Sequence, residues 1–241
     1  MKCTYLYVND VRITIIRKNI KHLYVAILPP DGWVRVTVPS FLGDTEVIRA
    51  VQSKINWIKA KQDRYVQQGR EAEKTLEPGE ELYYLGALYR LELVNGSGPP
   101  SVSISGDQTL VLRAKANAGF EQKARVLMRW YRAELHAIII TLIAKWESVM
   151  NLRVGSWGIK RMKTRWGSCN PSTKRIWLNL ELIKKPIECI EYVVVHEIVH
   201  FLEASHNHVF KGHMDRLLPQ WRSLRKTLNA FPLPVIMDGK T

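Results

Sequence analysis

The feature that most constrains this chain is a short pattern, His-Glu-Ile-Val-His, at residues 196–200. It follows the apolar run Val193–Val195, so we expect it to lie on a buried helix. Residues four apart lie on the same face of a helix, so His196 and His200 present two imidazoles to one point. Glu197 lies at the edge of that face, where its carboxylate reaches a metal-bound water without binding the metal. The pattern predicts a site for metal-assisted hydrolysis with Glu197 as the general base.

A catalytic zinc site needs a third protein ligand and keeps one position open for water. Three histidines follow the pair in the sequence: His206, His208 and His213. We favour His206, because a gap of five residues lets the helix end and the chain turn back toward the metal. His208 and His213 remain alternatives, and Asp215 would need a different geometry. No glutamate occurs after residue 203, which nearly excludes a glutamate ligand from a later helix.

Length and composition indicate a globular protein of one large domain or two small ones: 241 residues, 46% hydrophobic and 24% charged. The three cysteines form no C-x-x-C pair, which favours a reducing compartment. The longest apolar run, residues 137–144, is too short to span a bilayer, and the N-terminus lacks the apolar core of a signal peptide. We therefore expect a cytoplasmic protein without a membrane partner, and the sequence predicts no oligomeric state.

The net charge of +14 bears on partners, because basic surfaces attract nucleic acids and acidic membranes. Seven basic residues and no acidic residue occur between Ser148 and Leu180. No recognised nucleic-acid motif accompanies them, so a solvated basic surface explains the charge slightly better than a nucleic-acid site does. Nucleic acid is kept as an alternative partner.

The N-terminal half is predicted to be rich in strands. Alternating β-branched residues indicate strands at 11–17, 23–28 and 34–38, with a turn at Pro29–Gly32. Helical spacing of apolar residues predicts one helix from Asp44 to Gln68, and four short antiparallel strands are predicted between residues 82 and 112. No internal sequence repeat is visible.

The C-terminal half is predicted to hold the chemistry. An apolar stripe indicates a long helix over Phe120–Met150, two strands flank the turn-rich residues 168–173, and the histidine helix begins near Pro186. One or two further helices occupy 209–230, interrupted at Pro219. The predicted fold class is α+β, with an N-terminal β-rich region over 1–117 and a catalytic domain over 118–241.

Four blocks of sequence resemble the YgjP-like metallopeptidase family, which is itself similar to SprT-like and WLM-type zinc peptidases. They are Thr164–Cys169, Ile176–Leu180, Tyr192–His200 and His206–Phe210. The resemblance covers about residues 120–225, and a weaker element around Tyr84–Gly86 extends it toward the N-terminus. It implies a zincin-like catalytic half, with one Zn²⁺ per chain on His196, His200 and His206 and with Glu197 as the catalytic residue.

Other residues near these motifs have less certain roles. Arg165, Tyr192 and His213 are candidates for stabilising the oxyanion or orienting the substrate. We interpret Trp166 and Gly167 as structural, and Cys169 as a small buried side chain with an alternative role as a reversible zinc ligand.

Three functions are compatible with these features. The first is a zinc metallopeptidase that hydrolyses peptide bonds of a protein or peptide substrate. The second is a DNA-associated protease that acts on nucleic-acid-bound proteins, as the basic charge and the SprT-like resemblance suggest. The third is a zinc-stabilised binding or scaffold protein with little catalysis; Glu197 argues against it, because a purely structural site needs no such carboxylate.

Overall fold

The computed structural model describes residues 3–28, 32–69, 75–96, 98–162 and 164–230. These residues form two compact units, one within residues 1–74 and the other within residues 75–234. The boundary predicted at 117/118 therefore falls inside the second unit. The assignment of separate roles to 1–117 and 118–241 stays a prediction.

The first unit contains a four-stranded sheet, here called the first sheet. Its strands are β1 (Cys3–Val8), β2 (Val11–Lys18), β3 (Tyr24–Leu28) and β4 (Trp33–Pro39). Their order is β1-β2-β4-β3, in which β2 and β4 are parallel and the other pairs are antiparallel. Asn9 and Asp10 both have positive φ angles, 44° and 64°, as a two-residue hairpin turn between β1 and β2 requires.

The three strands predicted in this unit are confirmed, and β1 is an additional strand. Leu28 pairs with Trp33, so β3 and β4 form the predicted hairpin. Residues 29–31 of the predicted turn lie outside the described residues.

Two helices, α1 (Asp44–Gln52) and α2 (Ile55–Gly69), pack on one face of the first sheet. Val47, Val51 and Ile58 from the helices share a buried core with the alternate valines and isoleucines of the strands. The prediction of one continuous helix over 44–68 is wrong, because α1 ends at Gln52 and α2 begins at Ile55. Ser53 follows α1, and its Oγ donates a hydrogen bond to the carbonyl of Ala50 (2.9 Å), a local contact that competes with helical hydrogen bonding.

The second unit opens with another four-stranded sheet, the second sheet. Its strands are β5 (Glu81–Tyr84), β6 (Ala87–Asn95), β7 (Ser101–Ser105) and β8 (Thr109–Ala114), in the order β5-β6-β8-β7. The prediction that all four are antiparallel is wrong for one pair, because β6 and β8 are parallel. The β7–β8 hairpin docks through its second strand, which places β8 beside β6. The two four-stranded sheets thus share one strand order and one pattern of directions without a visible sequence repeat.

The long helix α3 (Phe120–Met150) has the predicted bounds. It ends where Asn151 adopts a left-handed conformation (φ 50°), a common helix terminator. Tyr131 is buried in the middle of α3 and donates a hydrogen bond from its hydroxyl to the carbonyl of Tyr83 in the second sheet (2.7 Å). Leu110 and Leu112 of β8 lie in the same core as α3, which is why the second sheet belongs to the same compact unit.

A third, three-stranded sheet follows: β9 (Ser156–Lys160), β10 (Gly167–Asn170) and β11 (Arg175–Asn179), in the order β10-β11-β9. A 3₁₀ turn over Leu180–Lys184 leads to α4 (Ile187–Val199), α5 (His208–Leu217) and α6 (Trp221–Ala230). The predicted α+β class is confirmed. The prediction of two strands flanking residues 168–173 is wrong in detail, because β10 occupies Gly167–Asn170, within those turn-rich residues, and pairs with β11. None of the described helices is long and apolar enough to cross a membrane.

Candidate metal centre

Helix α4 positions the first two histidines. It is buried on nearly all sides, with Val193, Val194 and Val195 in the core of the second unit. Such burial fixes the rotation of the helix about its axis, since turning it would expose apolar residues. His196 lies in the last turn, and His200 is the residue that caps the C-terminus.

The chain after α4 brings His206 back to this pair. The backbone N–H of Glu203 donates to the carbonyl of Val199 (3.0 Å), which closes the turn that ends the helix. The N–H of Ser205 donates to the Glu203 carboxylate (2.9 Å), and Asn207 caps α5 by accepting a hydrogen bond from the N–H of Phe210 (3.1 Å). These local bonds determine where His206 lies between the two helices.

The three histidines converge on one point. Their metal-binding nitrogens all lie within 4.8 Å of one another, and the Nε2 atoms of His196 and His206 are 2.9 Å apart. In a tetrahedral zinc site, nitrogens at about 2.0–2.1 Å from the ion are separated by about 3.3 Å, so the observed spacing fits one ion. Among the residues that the structure describes, only these three form such a group.

Two contacts orient the rings. Nδ1 of His200 lies 3.1 Å from the carbonyl oxygen of Glu203; because a carbonyl only accepts, Nδ1 carries the proton and Nε2 is left to bind a metal. The buried ring of Phe210 lies 4.8–4.9 Å from the ring centroids of His196, His200 and His206. Phe210 therefore forms an apolar floor beneath the group.

The surroundings of His196 and His206 favour the neutral form of these two imidazoles. Burial, with smaller contributions from His200, His206 and Arg225, lowers the pKa of His196 to about 3. Burial, with smaller contributions from His200 and Arg225, also lowers the pKa of His206. A neutral imidazole is the form that binds a metal, so the donor set suits a divalent transition ion.

Glu197 is buried beside the group, with only 5% of the residue exposed. Burial raises the pKa of its carboxyl to about 8, and the positive charge of Arg165 opposes this shift. Gly167 of β10 lies directly against the Glu197 side chain, so the strand leaves room for the carboxylate at this position.

Buried Asn179 fastens the segment that carries Arg165. Its side-chain amide donates to the carbonyls of Met162 and Arg165 (2.8 Å each), and its oxygen accepts from the backbone N–H groups of Met162 and Glu181 (3.3 Å each). The backbone N–H of Asn179 donates to the carbonyl of Trp166 (2.9 Å). Asn179 therefore has a structural role at the edge of the site.

The other predicted residues occupy different positions. Tyr192 is buried one turn before His196, and their rings meet edge to face at 5.8 Å. His208 is an exposed residue at the start of α5, and Nδ1 of His213 lies 3.4 Å from the Arg216 guanidinium. Neither joins the group of three.

Asp215, considered as a substitute ligand, is engaged elsewhere. It accepts hydrogen bonds from Nε1 of Trp221 (2.7 Å) and from the guanidinium of Arg222. Arg225 of α6 was not among the predicted residues, although its charge acts to lower the pKa of His196, His206 and Tyr192. A single arginine in an amphipathic helix carries no sequence signal of such a role.

A group of three histidines beside a buried carboxylate is the arrangement of a metal-dependent hydrolase. The chain belongs to the YgjP-like family, because the family model for the YgjP-like metallopeptidase domain matches residues 21–231. The protein is therefore a metallopeptidase, a hydrolase whose substrates are proteins or peptides.

Solved structures similar to this chain include two archaeal metallopeptidase zymogens. Abylysin from Pyrococcus abyssi is 13% identical with a TM-score of 0.36, and the match covers 38% of this chain and 92% of abylysin. Jannalysin from Methanocaldococcus jannaschii is 21% identical with a TM-score of 0.33, and the match covers 40% of this chain and 94% of jannalysin. A search of curated proteins found no significant match.

Proposed function

We propose that this metallopeptidase is zinc-dependent, with one Zn²⁺ per chain held by His196, His200 and His206 and with Glu197 as the general base. The observation that carries the proposal is the convergence of three imidazoles, whose metal-binding nitrogens lie within 4.8 Å of one another, with the Glu197 carboxylate buried beside them. Nitrogen donors in this number suit zinc and leave a coordination position open.

When bound, zinc would act as a Lewis acid that lowers the pKa of a water ligand and polarises a peptide carbonyl. The protein supplies the proton transfer. Glu197 accepts a proton from the attacking water and passes it to the leaving amine. Burial raises the pKa of the Glu197 carboxyl to about 8 in the metal-free protein. A cation bound beside it would favour the ionised form that acts as the base.

Substrate binding is proposed along β10. Among the described residues β10 is an edge strand of the third sheet, paired with β11 on one side, and it passes beside α4, where Gly167 touches Glu197. An extended peptide added to this edge would gain main-chain hydrogen bonds without much choice of side chain. Arg165 and Tyr192 border the centre and remain the candidates for stabilising the oxyanion, together with His213.

The scaffold hypothesis is less well supported. A structural zinc site is closed by four protein ligands, and no fourth cysteine, histidine or carboxylate joins the group among the described residues. Burial, followed by the nearby Glu197 carboxylate, raises the pKa of the Cys169 thiol, which disfavours the thiolate that a zinc ligand requires.

The DNA-associated protease remains the second candidate. The basic stretch from Ser148 to Leu180 folds partly onto the third sheet, where Lys160 Nζ and the Arg175 guanidinium lie 4.5 Å and 4.6 Å from the ring centroid of Trp177. Two cations held at one aromatic ring form a site of concentrated positive charge.

A cytoplasmic location is proposed from the cysteine content alone.

The test combines metal content with cleavage of an unfolded protein. Wild type should hold one zinc and cleave, Glu197→Gln should keep zinc and lose turnover, and His206→Ala should lose zinc. His208→Ala is the matched control, because this neighbouring histidine lies outside the group and its loss should change neither zinc nor cleavage. Full activity of Glu197→Gln would overturn the general-base assignment, and stimulation of wild type by DNA would favour the second candidate.

A further inference from the structure

Among the described residues of its unit, helices cover only one face of the first sheet. Helices α1 and α2 pack on the face that carries Val34, Val36 and Val38. Side chains alternate along a strand, so Trp33, Arg35 and the residues level with them point to the opposite face. This opposite side is here called the open face.

Aromatic side chains are concentrated on the open face. They are exposed and come from three of the four strands: Tyr5 and Tyr7 on β1, Tyr24 on β3 and Trp33 on β4. Tyr7 is 71% exposed and Trp33 is 41% exposed. Single exposed apolar residues are ordinary, but a group on one sheet face marks an interaction surface.

The strand register places these aromatic residues beside arginines. Tyr7 pairs with Arg12, and since Ile13 pairs with Val34, Arg12 is level with Trp33 on the neighbouring strand. Tyr7, Arg12 and Trp33 thus form a row across the sheet at the inter-strand spacing of about 4.8 Å. The guanidinium of Arg12 also lies 4.6 Å from the ring centroid of Tyr5.

The next row also holds an aromatic and a basic residue, with a threonine between them. Tyr5 pairs with Thr14, which pairs with Arg35. Alternation places Arg12, Lys18 and Arg35 on the open face, whereas Arg17 is level with buried Val38 and forms an ion pair with Asp44. The four strands contain no aspartate or glutamate. The charge of the open face is therefore complementary to a polyanion, and its aromatic rings are complementary to flat, unpaired rings.

Single-stranded nucleic acid is the polymer that combines both features. Bases stack on aromatic side chains while phosphates contact arginine, and neither interaction requires a particular base sequence. A duplex would present phosphates but hide its bases. An unfolded polypeptide could contact the aromatic residues, but it carries charges of both signs and so would not in general match strands that contain basic and no acidic residues.

We propose that the open face of the first sheet binds single-stranded nucleic acid, with bases stacked on Tyr7 and Trp33 and phosphates held by Arg12 and Arg35. This assigns a role to the N-terminal unit that is separate from the metal centre. The proposal does not depend on the zinc chemistry proposed above.

The experiment measures binding of a fluorescein-labelled oligothymidylate of about 15 nucleotides to the full chain by anisotropy, over a series of salt concentrations. A chain of net charge +14 attracts any polyanion at low salt, so the decisive variants keep the charge unchanged. Trp33→Ala and Tyr7→Ala should each weaken binding at least about five-fold. Trp33→Phe, which keeps a stacking ring, should recover most of the affinity.

Trp57→Ala is the matched control. Trp57 is an exposed tryptophan of the same unit with Lys61 near its ring (5.9 Å), but it belongs to α2, on the other side of the sheet. Its substitution should leave affinity unchanged. Arg12→Ala and Arg35→Ala should each reduce the slope of log affinity against log salt by about 0.7.

Several results would overturn the proposal. If Trp33→Ala and Tyr7→Ala bound the oligonucleotide as tightly as wild type, bases would not be stacking on the open face. Loss of binding in Lys160→Ala with Arg175→Ala, but not in Trp33→Ala, would assign the oligonucleotide to the third sheet. Self-association of wild type that Trp33→Ala abolishes, without oligonucleotide binding, would assign the open face to a second copy of the chain. Because Glu197→Gln should bind the oligonucleotide normally, failure here is distinguishable from failure of the peptidase proposal.

Discussion

Gly167 and Glu197 are in direct contact: a Cβ atom placed on Gly167 would lie 2.5 Å from Oε1 of Glu197 and 2.8 Å from its Cγ. Real Cβ contacts essentially never fall below 3.0 Å, so any larger residue would force the carboxylate or the strand to move. The absence of a side chain at Gly167 therefore determines where the proposed general base lies.

Gly167→Ala should reduce peptide cleavage at least ten-fold while leaving zinc content unchanged. The reason is that displacing a catalytic group by about 1 Å can cost a hundred-fold in rate, and the three atoms nearest to the added Cβ all belong to Glu197, not to the histidines. Overpacking should also lower the free energy of unfolding by about 1–3 kcal/mol. Cleavage assays and metal analysis on the same preparation check both parts.

Gly212→Ala is the matched control for this substitution. A Cβ at Gly212 would meet nothing within 4 Å, and the residue lies in helix α5, where alanine is favoured over glycine. It should cleave normally with unchanged or slightly higher stability. Normal cleavage by Gly167→Ala would show that the carboxylate tolerates displacement.

Cys169→Ala should leave both zinc content and cleavage within about two-fold of wild type. Burial and the nearby Glu197 raise the pKa of the Cys169 thiol to about 12, so it stays protonated at neutral pH, and a thiol binds zinc only as the thiolate. The same pKa predicts slow alkylation of Cys169 at pH 8, measured by mass spectrometry against the unfolded chain. Loss of zinc from Cys169→Ala would instead support the reversible-ligand role.

Asn179→Ala should destabilise the second unit by about 2–4 kcal/mol, since it leaves buried backbone groups of the segment around Met162 and Arg165 without partners. Chemical denaturation measures this change. Asn170→Ala is the control in the same sheet, because Asn170 is exposed and accepts a single hydrogen bond from the N–H of Thr173. It should cost no more than about 0.5 kcal/mol. Equal effects of the two variants would contradict the role of Asn179.

Asp215 should contribute stability that disappears in acid. Hydrogen bonds from Arg222 and Trp221 hold the pKa of its carboxyl below the ordinary value. A lowered folded-state pKa means that the unfolded chain binds the proton more tightly; the contribution is therefore full above about pH 4 and is lost as pH falls through the lower folded value.

Melting temperatures of wild type and Asp215→Asn between about pH 7 and pH 2 test this sign. Wild type should be more stable at neutral pH, and the difference should shrink below about pH 4. A difference that stays constant across this range would show that the carboxylate charge does not matter.

Much of the fold follows from local patterns. Helix α3 has the predicted bounds because its apolar stripe and its left-handed terminator at Asn151 act within a few residues. The break between α1 and α2 was missed, because the hydrogen bond from Ser53 to Ala50 does not interrupt the apolar spacing that predicted one helix. The parallel pairing of β6 and β8 was missed because alternation along a strand carries no information about the direction of its neighbour.

The sequence by itself determined the paired histidines and the adjacent carboxylate, because residues 196, 197 and 200 have a fixed geometry on any helix. It favoured His206 as the third histidine but left His208 and His213 as alternatives, since that choice depends on how the chain turns after α4. Tertiary structure alone placed His206 at the pair, set Gly167 against Glu197 and aligned Tyr7, Arg12 and Trp33 in one row. The physical reason is that helical spacing is a property of neighbouring residues, whereas contacts between separate segments depend on the packing of the whole unit.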